Sequence, residues 1–169
     1  MGNYLNPGNN GFQAIRKSPY VDKTGLISLI NRTIGTAQKL TCISRPRRFG
    51  KSFAAQMLCA YYDRTCDSSD LFRDKIISRD QSYQQHLNQY NVIYVDMTYV
   101  KTFTDSYRTL ASYLSGKITE ELMASCPELA VSNELPATMI RAVELTGTKF
   151  IMIIDEWDAP IRENPSVQQ

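Results

Sequence analysis

Histidine is nearly missing from this sequence, with His86 alone, and the four cysteines, Cys42, Cys59, Cys66 and Cys126, form no C-x-x-C pair. That is a poor ligand set for zinc and no disulfide framework, so a reduced, cytoplasmic chain is the default expectation. Long apolar runs are missing too: none, Phe150 to Ile154 included, is nearly long enough to span a bilayer. The opening Met1-Gly2-Asn3-Tyr4 has neither the charged nor the apolar region of a signal peptide. Charge of one sign is scarce, since the net charge is only +2 over 169 residues. A global pull toward nucleic acid or membrane is thereby excluded, and any basic function is local. What remains is an ordinary mixture, 43% hydrophobic and 21% charged, in a chain long enough for one domain with its own core.

Residues 1–11, rich in asparagine and glycine with Pro7, read as a flexible tail, and the domain is expected over residues 12–169. Thr24 after Asp22 is a helix cap, and Leu26, Ile27, Leu29 and Ile30 carry a short helix to about Thr33. Lys39-Leu40-Thr41-Cys42-Ile43 is β-prone and reads as a strand. From Lys51 to about Tyr62 the residues Phe53, Ala54, Met57, Leu58, Tyr61 and Tyr62 recur at helical spacing, so a helix opens directly out of Gly50-Lys51-Ser52. Residues 63–90 are polar and read as a surface excursion. Val92-Ile93-Tyr94-Val95-Asp96 is a second strand, and Tyr107 to Met123 keep a helical period until Pro127. Pro136 opens another helix that closes at Gly147. Phe150 to Ile154 is apolar on both faces, which places it in the middle of a parallel sheet covered by helices. The order βα, βαα, β is that of an α/β layered fold.

Two short stretches carry chemistry. A strand that turns sharply into a helix holds phosphate, because backbone N–H groups and the positive end of the helix dipole converge on the anion. Gly50 lets the backbone approach, Lys51 reaches the β and γ oxygens, and the Ser52 hydroxyl ligates magnesium. The first glycine of such a loop is replaced by Arg45. The second stretch, Ile151 to Glu156, is four apolar residues followed by two acids at the carboxyl end of a buried strand, where α/β sheets bind ligands. Asp155 is suited to magnesium and Glu156 to polarising a water. Either stretch alone also fits a helix start with a solvated lysine or a polar strand end.

With both in place, the chain resembles the bacterial AAA-ATPase-like family of P-loop proteins, which often carry a PD-(D/E)XK nuclease-like region at their C-terminus. The matching pieces are Tyr20-Val21-Asp22-Lys23-Thr24-Gly25, Arg45-Pro46-Arg47-Arg48-Phe49-Gly50-Lys51-Ser52, Met57-Leu58, Tyr61-Tyr62, Leu71-Phe72, the strand 92–96, and Ile154-Asp155-Glu156-Trp157-Asp158-Ala159-Pro160-Ile161. In that family the arginine at the loop's first position is usual, while Trp157 stands where tyrosine is commoner. The resemblance implies a P-loop NTPase, three-layer α/β/α with a parallel sheet of the additional-strand, AAA-like type. It implies ATP and Mg2+ as cofactors, nucleotide binding by Arg45 to Ser52, magnesium ligation by Ser52 and Asp155, and Glu156 as the catalytic residue. Tyr20 and Asp22 stand where related ATPases contact the base, against the plainer reading of a helix cap with a packed tyrosine. Arg47 and Arg48 are open between phosphate, nucleic acid and structural pairing, and Asp96 between a magnesium-bound water and a loop cap.

The resemblance also implies a sheet ordered 5-1-4-3-2, so the chain reads as the N-terminal part of such a domain, truncated after the acidic strand. Open strand edges then invite self-association or completion by a C-terminal domain, and the 169 residues alone are expected to hydrolyse ATP poorly. Nucleic acid enters as a partner by family analogy only. Two other readings stay open: a non-hydrolysing ATP-dependent regulatory module, and a nucleic-acid-binding module using the basic loop.

Overall fold

Buried tyrosines and phenylalanines organise the first half of the chain. A computed structural model describes residues 3–44, 49–103, 107–129 and 134–162, with backbone alone for 107 and 108. It divides into two compact units, Pro7–Asn91 and Met1–Asn6 with Val92–Gln169.

The unit of residues 7–91 contains α1 (Asn10–Arg16), α2 (Gly25–Asn31), α3 (Lys51–Tyr62), α4 (Ser69–Phe72), a 3-10 turn (Ile76–Arg79) and α5 (Tyr83–His86). The periodicity of residues 51–62 becomes α3 over that same span, ending where Asp63 turns extended. Phe12 of α1 stacks on Phe72 at 5.2 Å and meets the Tyr20 edge at 5.5 Å, while Tyr61 meets Phe72 edge-on at 5.3 Å. Burying tyrosine requires a partner for its hydroxyl. Tyr61 Oη donates to the Tyr83 carbonyl and Tyr62 Oη to Asn31 Oδ1, each at 2.7 Å.

Residues 63–90 are therefore more than a surface excursion, since Phe72, Ile77, Tyr83 and Leu87 are buried. Their apolar residues are too widely spaced to form a period, but each short helix turns one of them inward. The strand expected at 39–43 is not formed: residues 39–44 have no regular structure, and Leu40 is 91% exposed. A β-prone run becomes a strand only when a neighbour completes its hydrogen bonds, and no strand among the described residues pairs with it.

The other unit contains β1 (Asn91–Asp96), α6 (Met97–Lys101), α7 (Tyr107–Ser125), α8 (Leu135–Thr146), β2 (Phe150–Asp155) and α9 (Ala159–Arg162). β1 and β2 form a small two-stranded parallel sheet, so the fold is α/β. Ile93, Val95, Val100, Leu110, Ile118, Leu122 and Ala142 form the core between sheet and helices. Each such large aliphatic side chain contributes about 1.5–3 kcal/mol by leaving water. Pro136 stands in the first turn of α8, and Gly147 ends it in the left-handed conformation, φ 68°.

The reading of residues 1–11 as a flexible tail is corrected over its described part. Tyr4 and Leu5 are buried, Leu5 bridges Ile93 in antiparallel fashion, and Asn6 N–H donates to the Val92 carbonyl at 2.7 Å. The Glu121 carboxylate of α7 accepts the backbone N–H groups of Asn3, Tyr4 and Leu5 at 2.6, 3.0 and 2.7 Å. These partners lie far along the chain, where local composition says nothing of them. β2 also departs from the sequence reading: Met152 and Ile154 share one face and stay 47% and 48% exposed, so helices do not cover both sides. No helix among the described residues is long and apolar enough to cross a membrane.

Candidate functional site

α3 begins at a glycine because of the backbone required there. Gly50 has φ 74° and ψ 37°, the left-handed conformation that glycine adopts without a Cβ penalty, and it is the N-cap of the twelve-residue helix. The Gly50 carbonyl accepts the Ala54 N–H at 3.0 Å, the first bond of the helix. The first N–H groups of a helix have no partner within it. Gly50 has no side chain with which to cap them, and the first turn carries no acid. Lys51 and Ser52 are the first two helical residues. An exposed Ser52 and a half-buried Lys51 thus stand at the positive end of the helix dipole. Arg45, Pro46, Arg47 and Arg48 lie outside the described residues.

The segment Tyr20 to Thr24 sits against this helix start. Lys23 Nζ donates to the Phe49 carbonyl at 2.7 Å. Tyr20 Oη accepts the Lys23 N–H at 3.2 Å and lies 3.4 Å from Met57 Sδ of α3. Asp22 Oδ1 accepts the Thr24 N–H and hydroxyl at 2.8 and 2.7 Å, and its Oδ2 accepts the Ile76 N–H at 2.9 Å. Burial alone would raise the Asp22 pKa, yet the bonds from Thr24 and Ile76 outweigh it and hold the carboxyl below its ordinary value. Tyr20 and Asp22 are thus engaged in holding the entry of α2.

The acidic stretch closes β2. Asp155 is the last residue of the strand, is 6% exposed, and accepts the Glu156 N–H at 3.0 Å on Oδ1. Glu156 follows with φ 49°, a left-handed backbone that costs a residue bearing a Cβ roughly 1–2 kcal/mol. Arg162 of α9 lies beside it, its Nη1 3.4 Å and Nη2 3.5 Å from Glu156 Oε2, and Nη1 2.7 Å from Asp158 Oδ2. Asp96 caps α6, its Oδ1 accepting the N–H groups of Thr98 and Tyr99 at 2.9 and 3.4 Å.

The residues fit the groups that the motifs imply. A glycine-led helix start with no acid in its first turn suits a phosphate chain. The Ser52 hydroxyl in the 7–91 unit and the Asp155 carboxylate in the other unit are each hard oxygen donors, the type magnesium takes. Among the described residues no group of three or more His, Cys, Asp or Glu is placed to hold a metal ion. Magnesium at phosphate sites takes only one or two carboxylates, the rest of its shell being water and phosphate.

A family model described as predicted AAA-ATPase matches residues 7–169. The chain belongs to the AAA-ATPase-like family. Comparison with curated proteins and with solved structures gives no match. Within this AAA-ATPase-like chain, two cations beside the candidate residues went unseen in the sequence reading. Lys23 stands there only inside the family-like stretch 20–25, and Arg162 is not singled out at all. No spacing rule marks either, because each acts through a side-chain contact with a residue the motif already names.

Proposed function

We propose that this chain is an ATP-binding P-loop domain of the three-layer, AAA-like type, and that its family activity is magnesium-dependent hydrolysis at the β-γ phosphate bond. One observation carries the reading: Gly50 turns left-handed into a twelve-residue helix whose first turn holds Lys51 and Ser52 and no acid. Residues 7–91 supply Lys51 and the loop-end amides to the phosphate oxygens and the Ser52 hydroxyl to a metal, and the Asp155 carboxylate of the other unit is an oxygen donor of the kind magnesium takes. Magnesium, when bound, neutralises charge on the β and γ oxygens. Glu156 orients the attacking water and accepts its proton on the carboxylate. Catalysis of this kind is mostly positioning and charge stabilisation, which suits a site made of backbone amides and few side chains.

Thermal melting with magnesium-ATP tests the reading. Ligand at a hundred times its dissociation constant stabilises the folded state by about 2.7 kcal/mol, a shift of several degrees. The wild type is expected to show that shift and Lys51→Ala to lose it. Equal midpoints with and without nucleotide in the wild type would remove the proposal.

A further inference from the structure

The turn Tyr20 to Thr24 is built more firmly than a helix cap requires, and it ends in an ammonium group aimed at the phosphate loop. Lys23 is held on both sides of its Cα: its N–H donates to Tyr20 Oη at 3.2 Å, and its carbonyl accepts the Leu26 N–H at 3.0 Å. The next residue, Thr24, has no exposed surface, and its Oγ1 accepts the Ile77 N–H at 3.2 Å. Tyr20 in turn rests on Met57 of α3. A path of contacts therefore leaves α3 at Met57, passes through Tyr20 to Lys23, and returns to Phe49, the residue before that helix's N-cap.

We infer that Lys23 is a positioning residue of the phosphate loop, which grips the Phe49 carbonyl and so aims the Gly50 amide; the inference rests on the ATP-binding reading. The peptide group is planar and trans, so its carbonyl and the following N–H point in opposite directions. An ammonium fixing the Phe49 oxygen at 2.7 Å therefore also fixes the direction of the Gly50 N–H, away from Lys23. That bond is charge-assisted and stronger than a neutral one. It is also exposed, so its effect falls on the order of the loop more than on the stability of the fold. Position 50 is shaped for it: a Cβ there would stand 2.5 Å from Lys23 Nζ. The glycine thus serves twice, once for its left-handed backbone and once for the approach of the ammonium.

The test is calorimetric titration of the full chain with magnesium-ATP, together with nucleotide-free melting and the position of the Gly50 amide resonance in a nitrogen-15 spectrum. Lys23→Met is expected to weaken binding about tenfold, the equivalent of about 1.4 kcal/mol. Its nucleotide-free midpoint should stay within about 2 °C of wild type, since only an exposed bond is lost. The Gly50 resonance should move even without nucleotide, which a merely structural role for Lys23 at α2 would not cause. Lys23→Arg, still able to donate to the carbonyl, is expected to bind within about threefold of wild type. Should Lys23→Met not fold, Lys23→Gln supplies a neutral donor and an intermediate affinity. Wild-type affinity and an unmoved resonance in Lys23→Met would overturn the inference alone. A wild type that does not bind would overturn the ATP-binding reading beneath it.

Discussion

Gly50 and Glu156 share a left-handed backbone at two different ends of structure, one opening α3 and one following β2. At Gly50 the conformation is free of strain because nothing projects from the α-carbon. At Glu156 the same conformation is forced on a residue with a full side chain. Each position also has one cation beside it. Lys23 holds a backbone carbonyl next to the glycine, and Arg162 lies beside the carboxylate of the glutamate itself. The loop end is therefore organised around its backbone, and the acidic end around a side chain kept in place despite its cost.

The largest effect should follow from putting a side chain where the backbone is proposed to bind phosphate. Gly50→Ala introduces a Cβ at φ 74° and against Lys23 Nζ, so it should cost about 1–2 kcal/mol in urea unfolding. It should also weaken magnesium-ATP binding by more than tenfold in titration calorimetry, because the Gly50 and Lys51 amides are displaced. Retained affinity would mean that the loop end is not where phosphate binds.

Glu156→Gly is the converse change and should have the opposite sign on stability. Removing the strained side chain is expected to stabilise the fold by about 0.5–1 kcal/mol, a gain reduced by the extra freedom of glycine in the unfolded chain. Any ATP turnover of the wild type should be lost all the same. Glu156→Gln keeps the strain and loses the charge, so it should abolish turnover with no gain in stability. If glycine fails to stabilise, the left-handed backbone at 156 is not strained in the way the comparison requires.

The same two ends explain what could be read from the sequence. α3 was legible because its apolar residues recur at helical spacing in the sequence, although Phe53 of that stripe is exposed and residues 57–62 are buried all round, and α8 because Pro136 and Gly147 punctuate it. The glycine before α3 and the strand ending at Asp155 were legible because a left-handed helix entry favours glycine and an apolar run closed by acids reads as a strand end. The strand at 39–43 misled because β propensity is local while strand formation is a property of a pair. Residues 3–6 misled for the complementary reason: their turn-rich composition is real, with Asn6 at φ 50°, yet Glu121 and β1 bury them from far along the chain. The contacts of Lys23 and Arg162 leave no periodic trace at all.

Arg162→Ala tests the hold on the acidic end and should have a smaller effect. The ion pair is partly exposed, with side chains at 31% and 24%, so screening limits its contribution to about 0–1 kcal/mol. The expected loss should shrink further in high salt, whereas the loss in Gly50→Ala should be indifferent to salt. A salt-independent loss larger than that range would show that Arg162 acts through packing.

The smallest effect distinguishes the two units by acid. Asp22, Asp67, Asp74 and Asp80 all lie in residues 7–91 and all titrate below the ordinary carboxylate value, Asp80 at about 2. The Ser82 hydroxyl and N–H, donating to Asp80 Oδ1 at 2.6 and 2.9 Å, are the cause for that residue. A carboxyl whose folded pKa is depressed contributes stability that is fully present above the unfolded value of 3.8 and is lost as pH falls toward the folded one. The 7–91 unit should therefore weaken between about pH 4 and pH 2, and near-ultraviolet dichroism of its buried tyrosines should report the change. Trp157, the one tryptophan of the chain and a residue of the other unit, gives a separate fluorescence signal. Asp80→Asn should flatten the tyrosine response over that window and leave the Trp157 response where it was. Coincident tyrosine and tryptophan transitions, both unmoved by Asp80→Asn, would show that acid acts on the chain as a whole and not through these hydrogen-bonded carboxylates.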